Sequence, residues 1–296
     1  LTKNSLKNLK KELLKEERRR RRISSPRFRR QRRWVLIGLF LVCGFTTLYL
    51  TNRERIYTYQ FRQAEQLVRQ GSYAQAAEQL QSLAAAHPEF VLAPDAILLA
   101  GEVLDLHLNQ HQDGLLLYLL LIRDYPYGQP SLMAQRRAAV VYKQWLRDYS
   151  SALTLLQRLV DADSDDADRM RFEVADCYFQ LHNYEQARIE LETLLKQHPD
   201  SPLLPEVQYR IGISYLLDGE LDPAAAAFQE VVARWPEDSF ALEAQISMAG
   251  VLEQRDELRQ ALKLLEGVRG QYQNSELLER KIDQVKQRMT KKKRAI

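Results

Sequence analysis

The sequence predicts an all-α chain: a solenoid of about six helix pairs, closed by a capping helix and preceded by one transmembrane helix. Three observations carry that prediction. Gly and Pro are scarce, 11 and 10 in 296 residues, while Leu, Ala, Gln, Glu and Arg dominate, and such side chains lose little rotamer freedom in a helix. From about residue 57 a small residue, followed four positions later by a large apolar one, recurs at near-constant spacing. Near the start, a charge-free stretch follows a dense basic run.

The basic run comes first. Residues 1–33 hold 15 Lys or Arg and three Glu, a net +12, and residues 34–52 hold no charge. The whole chain is +4, so the remainder carries about −8. The basic balance therefore belongs to one tail, and no nucleic-acid partner is expected. Phe28 is the only aromatic among those charges, which is no base-stacking platform. Leu6, Leu9, Leu13 and Leu14 fall at helical spacing. The tail reads as a solvated segment, with an amphipathic helix on anionic lipid as the alternative.

Residues 34–50 read WVLIGLFLVCGFTTLYL. The 19 charge-free residues from 34 to 52 would rise roughly 28 Å as a helix, close to a bilayer's hydrocarbon core. Trp34 and Tyr49 stand at its ends, where amphipathic rings favour headgroups. No A-x-A cleavage pattern follows, and Cys43 comes after Val42 rather than a small residue, so neither a cleaved signal nor a lipoprotein signal fits. The positive-inside rule puts the N-terminus in the cytoplasm and the rest outside. The expected organisation is a cytoplasmic tail at 1–33, a span at 34–52 in the bilayer, a solenoid at 53–274, and a capping helix with a basic end at 275–296.

The repeat is read from its small residues. Ala76, Gly114, Ala152, Ala187, Ala224 and Ala261 are separated by 38, 38, 35, 37 and 37 positions. Four residues after each stands Leu80, Tyr118, Leu156, Leu191, Phe228 or Leu265. A small residue allows two antiparallel helices to cross closely, and the large one a turn later fills the space between pairs. Pro88, Pro126, Pro199 and Pro236 close four of the units, because proline cannot continue a helix. Past the sixth unit, Leu277, Leu278, Ile282 and Val285 fall at helical spacing, which suits a capping helix over the last apolar face.

The fifth unit carries Gly212-x-x-Tyr215, Ala224-x-x-x-Phe228 and Pro236, and the fourth Ala175-x-x-Tyr178, Ala187-x-x-x-Leu191 and Pro199. This resembles the tetratricopeptide repeat over roughly residues 57–273. In the second and third units Glu102 and Val140 stand where a small residue is expected, Glu102 next to Gly101. The resemblance implies a right-handed α-solenoid. Connectors such as HPDSPLLPE at 198–206, together with the basic tail and span, are similar to membrane-anchored bacterial envelope members of the family. Among these is the ancillary repeat subunit of the Sec translocon. The location implied is the bacterial inner membrane, single-pass, with a periplasmic repeat domain.

Chemistry is sparse. His107 and His111 are four apart, as helical metal ligands can be, but no H-E-x-x-H occurs, and a solvated pair is the plainer reading. Asp161, Asp163 and Asp165 alternate as in a calcium loop. That loop then needs Gly, where Asp166 stands, and a final Glu, where Phe172 stands. An acidic linker with an Asp cap near Asp168 fits better. Cys43 and Cys177 are too far apart in the pattern to pair, and Cys177 reads as buried packing. No phosphate-binding loop or nucleophile elbow occurs, so no cofactor, metal or catalytic activity is expected.

The family's concave face is lined by first helices and holds a peptide segment or a partner helix. Carried over, it implicates Phe172, Asp176, Phe179, Tyr209, Ile213 and Leu216. The expected function is a protein-interaction scaffold or chaperone-like adaptor, with a fixed subunit of an envelope secretion, pilus or assembly machine as the alternative.

Overall fold

The structure, a computed structural model, describes residues 10–18, 26–161, 166–272 and 274–295; side chains at 26–33, 35–36, 45, 48–51 and 293–295 are outside the description. All its regular elements are helical. Helix α1 covers 10–18 and α2 runs Pro26–Arg69. The end of α2 pairs with α3 (Tyr73–Ala86), α4 (Ala93–Glu102) with α5 (His111–Asp124), and α6 (Gln129–Val141) with α7 (Tyr149–Asp161). Then α8 (Ala167–Gln180) pairs with α9 (Tyr184–Gln197), α10 (Leu204–Leu217) with α11 (Leu221–Arg234), and α12 (Ser239–Gln254) with α13 (Leu258–Gly267). Helix α14 (Ser275–Ala295) covers the last pair. From α2 onward each helix packs on its successor, so the core is a continuous seam.

The recurring small residues sit in that seam. Ala76, Ala152, Ala187, Ala224 and Ala261 have no exposed surface, and neither do Leu80, Tyr118, Leu191 and Phe228 one turn later. Helices α3, α5, α9 and α11 end two residues before Pro88, Pro126, Pro199 and Pro236. The capping helix buries Leu278, Ile282 and Val285 against Ile246, Leu258 and Leu265, while Leu277 turns outward.

Each pair turns on one left-handed residue: Gly71, Asn109, Arg147, His182, Gly219 or Asp256, all with positive φ. Each lies five positions before the small residue that follows. Four of these turns close in the same way. The next N–H donates to a carbonyl five residues back, Ser72 to Leu67, Asn183 to Tyr178, Glu220 to Tyr215 and Glu257 to Leu252. In the second and third pairs the bond spans six residues, Gln110 to Leu104 and Asp148 to Tyr142. The reason is a π turn ending each first helix, Val103–His107 after α4 and Tyr142–Leu146 after α6.

That inserted residue explains why Glu102 and Val140 appear out of register. The small residues at the crossing are Gly101 and Ala139, both buried and 13 positions before Gly114 and Ala152. In the other pairs the interval is 12, from Ala64, Ala175, Gly212 and Ala249.

The expectation of a transmembrane helix over 34–52 is corrected. Among the described residues no helix is long and apolar enough to cross a membrane. The stretch is the middle of α2, a 44-residue helix that continues directly into the first pair. The same finding overturns the bilayer partnership of 34–52 and the single-pass inner-membrane location with periplasmic repeats. It also removes the likeness to membrane-anchored envelope members. The readings placed on residues 1–9 and 19–25 of the basic tail, and on Asp163 and Asp165, lie outside the described residues.

Candidate functional site

First helices of successive pairs touch one another, α4 on α6 and α10 on α12, which puts them on the inner side of the curve. Ion pairs run along this side. Arg137 on α6 donates to Glu102 on α4 at 3.0 Å. Lys143, in the π turn after α6, lies 2.5 Å from both Glu173 and Asp176 on α8. Arg210 on α10 donates to Asp176 at 2.6 Å and to Glu206 at 3.0 Å. Asp176 is thus held by cations from the pairs before and after its own.

Burial pushes the Asp176 carboxyl up, but the hydrogen bonds from Lys143 and Arg210 outweigh it and hold the group below the usual carboxylate range. Burial likewise lowers the Lys143 ammonium, and its bonds to Asp176 and Glu173 more than reverse this, so it stands above an ordinary lysine. The two shifts agree on one strongly charged pair. The same Arg210 guanidinium lies 4.6 Å over the Phe172 ring.

Between α6 and α8 the inner face opens into a cleft of about 300 Å³ lined by Arg136, Val140, Lys143, Arg169, Met170 and Glu173. Apolar side chains stay uncovered along this side, Leu106 at 50 %, Met133 at 44 % and Val140 at 42 %.

Of the residues implicated from sequence, Phe172 and Asp176 are brought together by Arg210, next to the cleft. Phe179 is half-buried against the layer of Ala175, Leu191 and Leu194, 5.9 Å from the Tyr184 ring. Tyr209 lies between Phe228 and Phe240, at 5.7 and 5.5 Å, with its hydroxyl 3.2 Å from Ser247 on α12. Ile213 and Leu216 pack around Phe228 and Val231. Val140, Lys143 and Met170 were missed. The π turn hid the first two, and Met170 lay beyond the two motif positions that anchor the fourth unit.

Of the two histidines expected to be solvated, His107 is exposed and His111 is half-buried. His107 stacks on Tyr73, and His111 stacks on Trp145 while bonding Asp105. Helix α8 starts at Ala167 after Asp166, which makes no side-chain capping bond; Asp168 accepts from its neighbour's N–H and from Ser201. Cys177 has no exposed surface, and burial pushes its thiol up to about 11. Among the described residues no group of three or more His, Cys, Asp or Glu could hold a metal ion.

Two family models, both described as tetratricopeptide repeat, match this pattern of crossings. One covers 61–128 and 183–239, the other 146–205, together more than half of the chain. The chain belongs to the tetratricopeptide-repeat family. Proteins of this family are typically non-catalytic scaffolds, and the fold suits the binding of other proteins. A comparison with curated proteins found no match. Among solved structures, a tetratricopeptide repeat protein from Parabacteroides merdae is similar with a TM-score of 0.55 and 17% identity, over 81% of this chain and 89% of its own. PilW, a type IV pilus biogenesis factor, is similar with a TM-score of 0.50 and 12% identity, over 78% of this chain and 98% of its own. At such identities both likenesses speak for the fold alone.

Proposed function

We propose that the protein is an adaptor that holds a peptide segment or partner helix of another protein along the inner face of α6, α8 and α10. The observation that carries this reading is the cleft between α6 and α8. Its apolar floor at Val140 and Met170 lies inside a frame of paired charges from Lys143, Glu173, Asp176 and Arg210. An apolar side chain of the partner enters the cleft, and the charged frame sets its direction. Phe172 and Asp176 lie beside the cleft on α8, where Arg210 joins them. Phe179, Tyr209, Ile213 and Leu216 extend the groove toward α12. Because Lys143, Asp176 and Arg210 tie three first helices together, the groove binds with little further ordering, which favours affinity.

The test is photocrosslinking of the full-length protein from Gln144, an exposed residue lining the same cleft, with the captured protein identified by mass spectrometry. Val140→Glu should abolish capture of a stoichiometric partner with the helical circular dichroism unchanged. An Ala variant at Phe172, Phe179 and Tyr209 should weaken it. A partner captured equally well by Val140→Glu would move the binding surface elsewhere.

A further inference from the structure

Two aromatic stacks in identical register join the first three pairs. Tyr73 at the start of α3 lies on His107, with centroids 4.2 Å apart and planes at 5°. His111 at the start of α5 lies on Trp145, at 3.7 Å and 15°. Both partners are 34 positions apart, and in both cases the later one sits in a π turn. The later pairs carry Gln180, Leu217 and Gln254 at that place and have no π turn. The inserted residue and the stacked ring go together.

His111 has a second partner. Its Nδ1 lies 2.7 Å from a carboxylate oxygen of Asp105, a residue only 3 % exposed. The other carboxylate oxygen has the Tyr118 hydroxyl at 3.5 Å. Burial keeps that hydroxyl neutral, so it brings no charge of its own. Among the described residues no Lys or Arg lies within ion-pair distance of Asp105, and the nearby Arg137 is bonded to Glu102. Helix α5 presses close here: a β-carbon on Gly114 would come 2.9 Å from that of Asp105. An ionised carboxylate so enclosed is costly unless it is paired, and His111 is the residue in place to pair with it.

We infer that Asp105, His111 and Trp145 form a proton-controlled clasp between the second and third pairs. With the imidazole protonated, His111 bonds Asp105 as an ion pair and lies as a cation on the indole face. With the proton gone, Asp105 keeps a buried charge facing a neutral ring, and the stack loses its cation–π component. The clasp therefore closes when His111 gains a proton and loosens when it gives one up. The other ionisable groups around it are Asp113 on α5, Glu102 on α4 and Arg137 on α6. Trp145 shares its π turn with Lys143, which lines the inner-face cleft. Loosening the indole frees the turn that holds Lys143 against Glu173 and Asp176, so the clasp links proton concentration to the shape of the groove.

The experiment uses the full chain with Trp34 and Trp235 changed to Phe, which leaves Trp145 as its single tryptophan. Its emission is followed from about pH 8 to pH 5 with circular dichroism recorded in parallel. A stacked imidazolium quenches indole, so emission should fall in one sigmoidal step at constant helicity. His111→Phe keeps a ring on the indole and should remove the step. Asp105→Asn removes the ion-pair partner of the imidazolium, so the ring is held less firmly on the indole and the step should shrink. A flat titration, or a step that survives His111→Phe, overturns the clasp. If His111→Phe fails to fold, Asp105→Asn decides, and a step of unchanged size overturns it equally.

Discussion

Gly101 lies against the ring of Tyr118 just as Gly212 lies against the ring of Phe228: a β-carbon would come 2.6 Å from the first ring and 2.5 Å from the second. The two rings have no exposed surface, so neither can swing aside. The second pair therefore obeys the same crossing rule as the fifth, although its spacing differs by one residue.

Gly101→Ala and Gly212→Ala should each destabilise the protein by about 1–3 kcal/mol through overpacking, despite alanine's better helix propensity. Gly250 provides the contrast. It lies within α12, and a β-carbon there meets nothing within 4 Å. Gly250→Ala should stabilise by roughly 0.5–1 kcal/mol. Urea unfolding of the three variants checks the sign of each change.

Arg147 turns the chain between the third pair's helices at φ 53°, a conformation that costs an L-residue roughly 1 kcal/mol. Its equivalents in the first and fifth pairs are Gly71 and Gly219. Arg147→Gly should leave the midpoint of thermal unfolding unchanged or raise it, because relief of strain offsets the added chain entropy. A drop of several degrees would mean that the Arg147 side chain holds an interaction of its own.

Asp176 joins three first helices, and its side chain is 15% exposed. Asp176→Asn leaves Lys143 and Arg210 facing a neutral amide and should cost roughly 1–3 kcal/mol, after allowance for partial solvent screening. Its folded carboxyl is held below the usual value. The pairing therefore contributes fully above the unfolded carboxyl value of about 4, and the contribution is lost as pH falls through the lower folded value. Acid unfolding of the variant should consequently be less steep than that of the parent. Parallel curves would show that the network adds no pH-dependent stability.

Cys43 is exposed and Cys177 is buried with its thiol raised to about 11. Iodoacetamide at neutral pH should label Cys43 alone in the folded protein, and both once urea unfolds it. Quantitative peptide mass spectrometry reads the two sites separately. Rapid labelling of Cys177 under native conditions would mean that α8 opens locally.

The fourth, fifth and sixth pairs were legible because their crossings repeat a small and a large residue at fixed offsets, and such offsets depend only on helix geometry. Gly101 and Ala139 were not, since a π turn shifts the pattern by one position and reads in the sequence as a degenerate repeat. The groove itself is a proposal that rests on residues from several helices. Phe172 and Asp176 were marked in the sequence, but their union through Arg210 was not, because Asp176 and Arg210 lie 34 residues apart. The charge-free stretch at 34–52 suggested an element with ends of its own, whereas it is continuous with the first repeat helix.

By itself, then, the sequence determined the all-α repeat architecture, the crossings and turns of the first, fourth, fifth and sixth pairs, and the capping helix, because these rest on local periodicity and on residues that end helices. Only the tertiary structure decided where the π turns fall, which cations hold Asp176, that His111 joins Asp105 to Trp145, and that the open cleft lies between α6 and α8. Each of these depends on which side chains successive pairs bring face to face, and that follows from packing between residues distant in the chain.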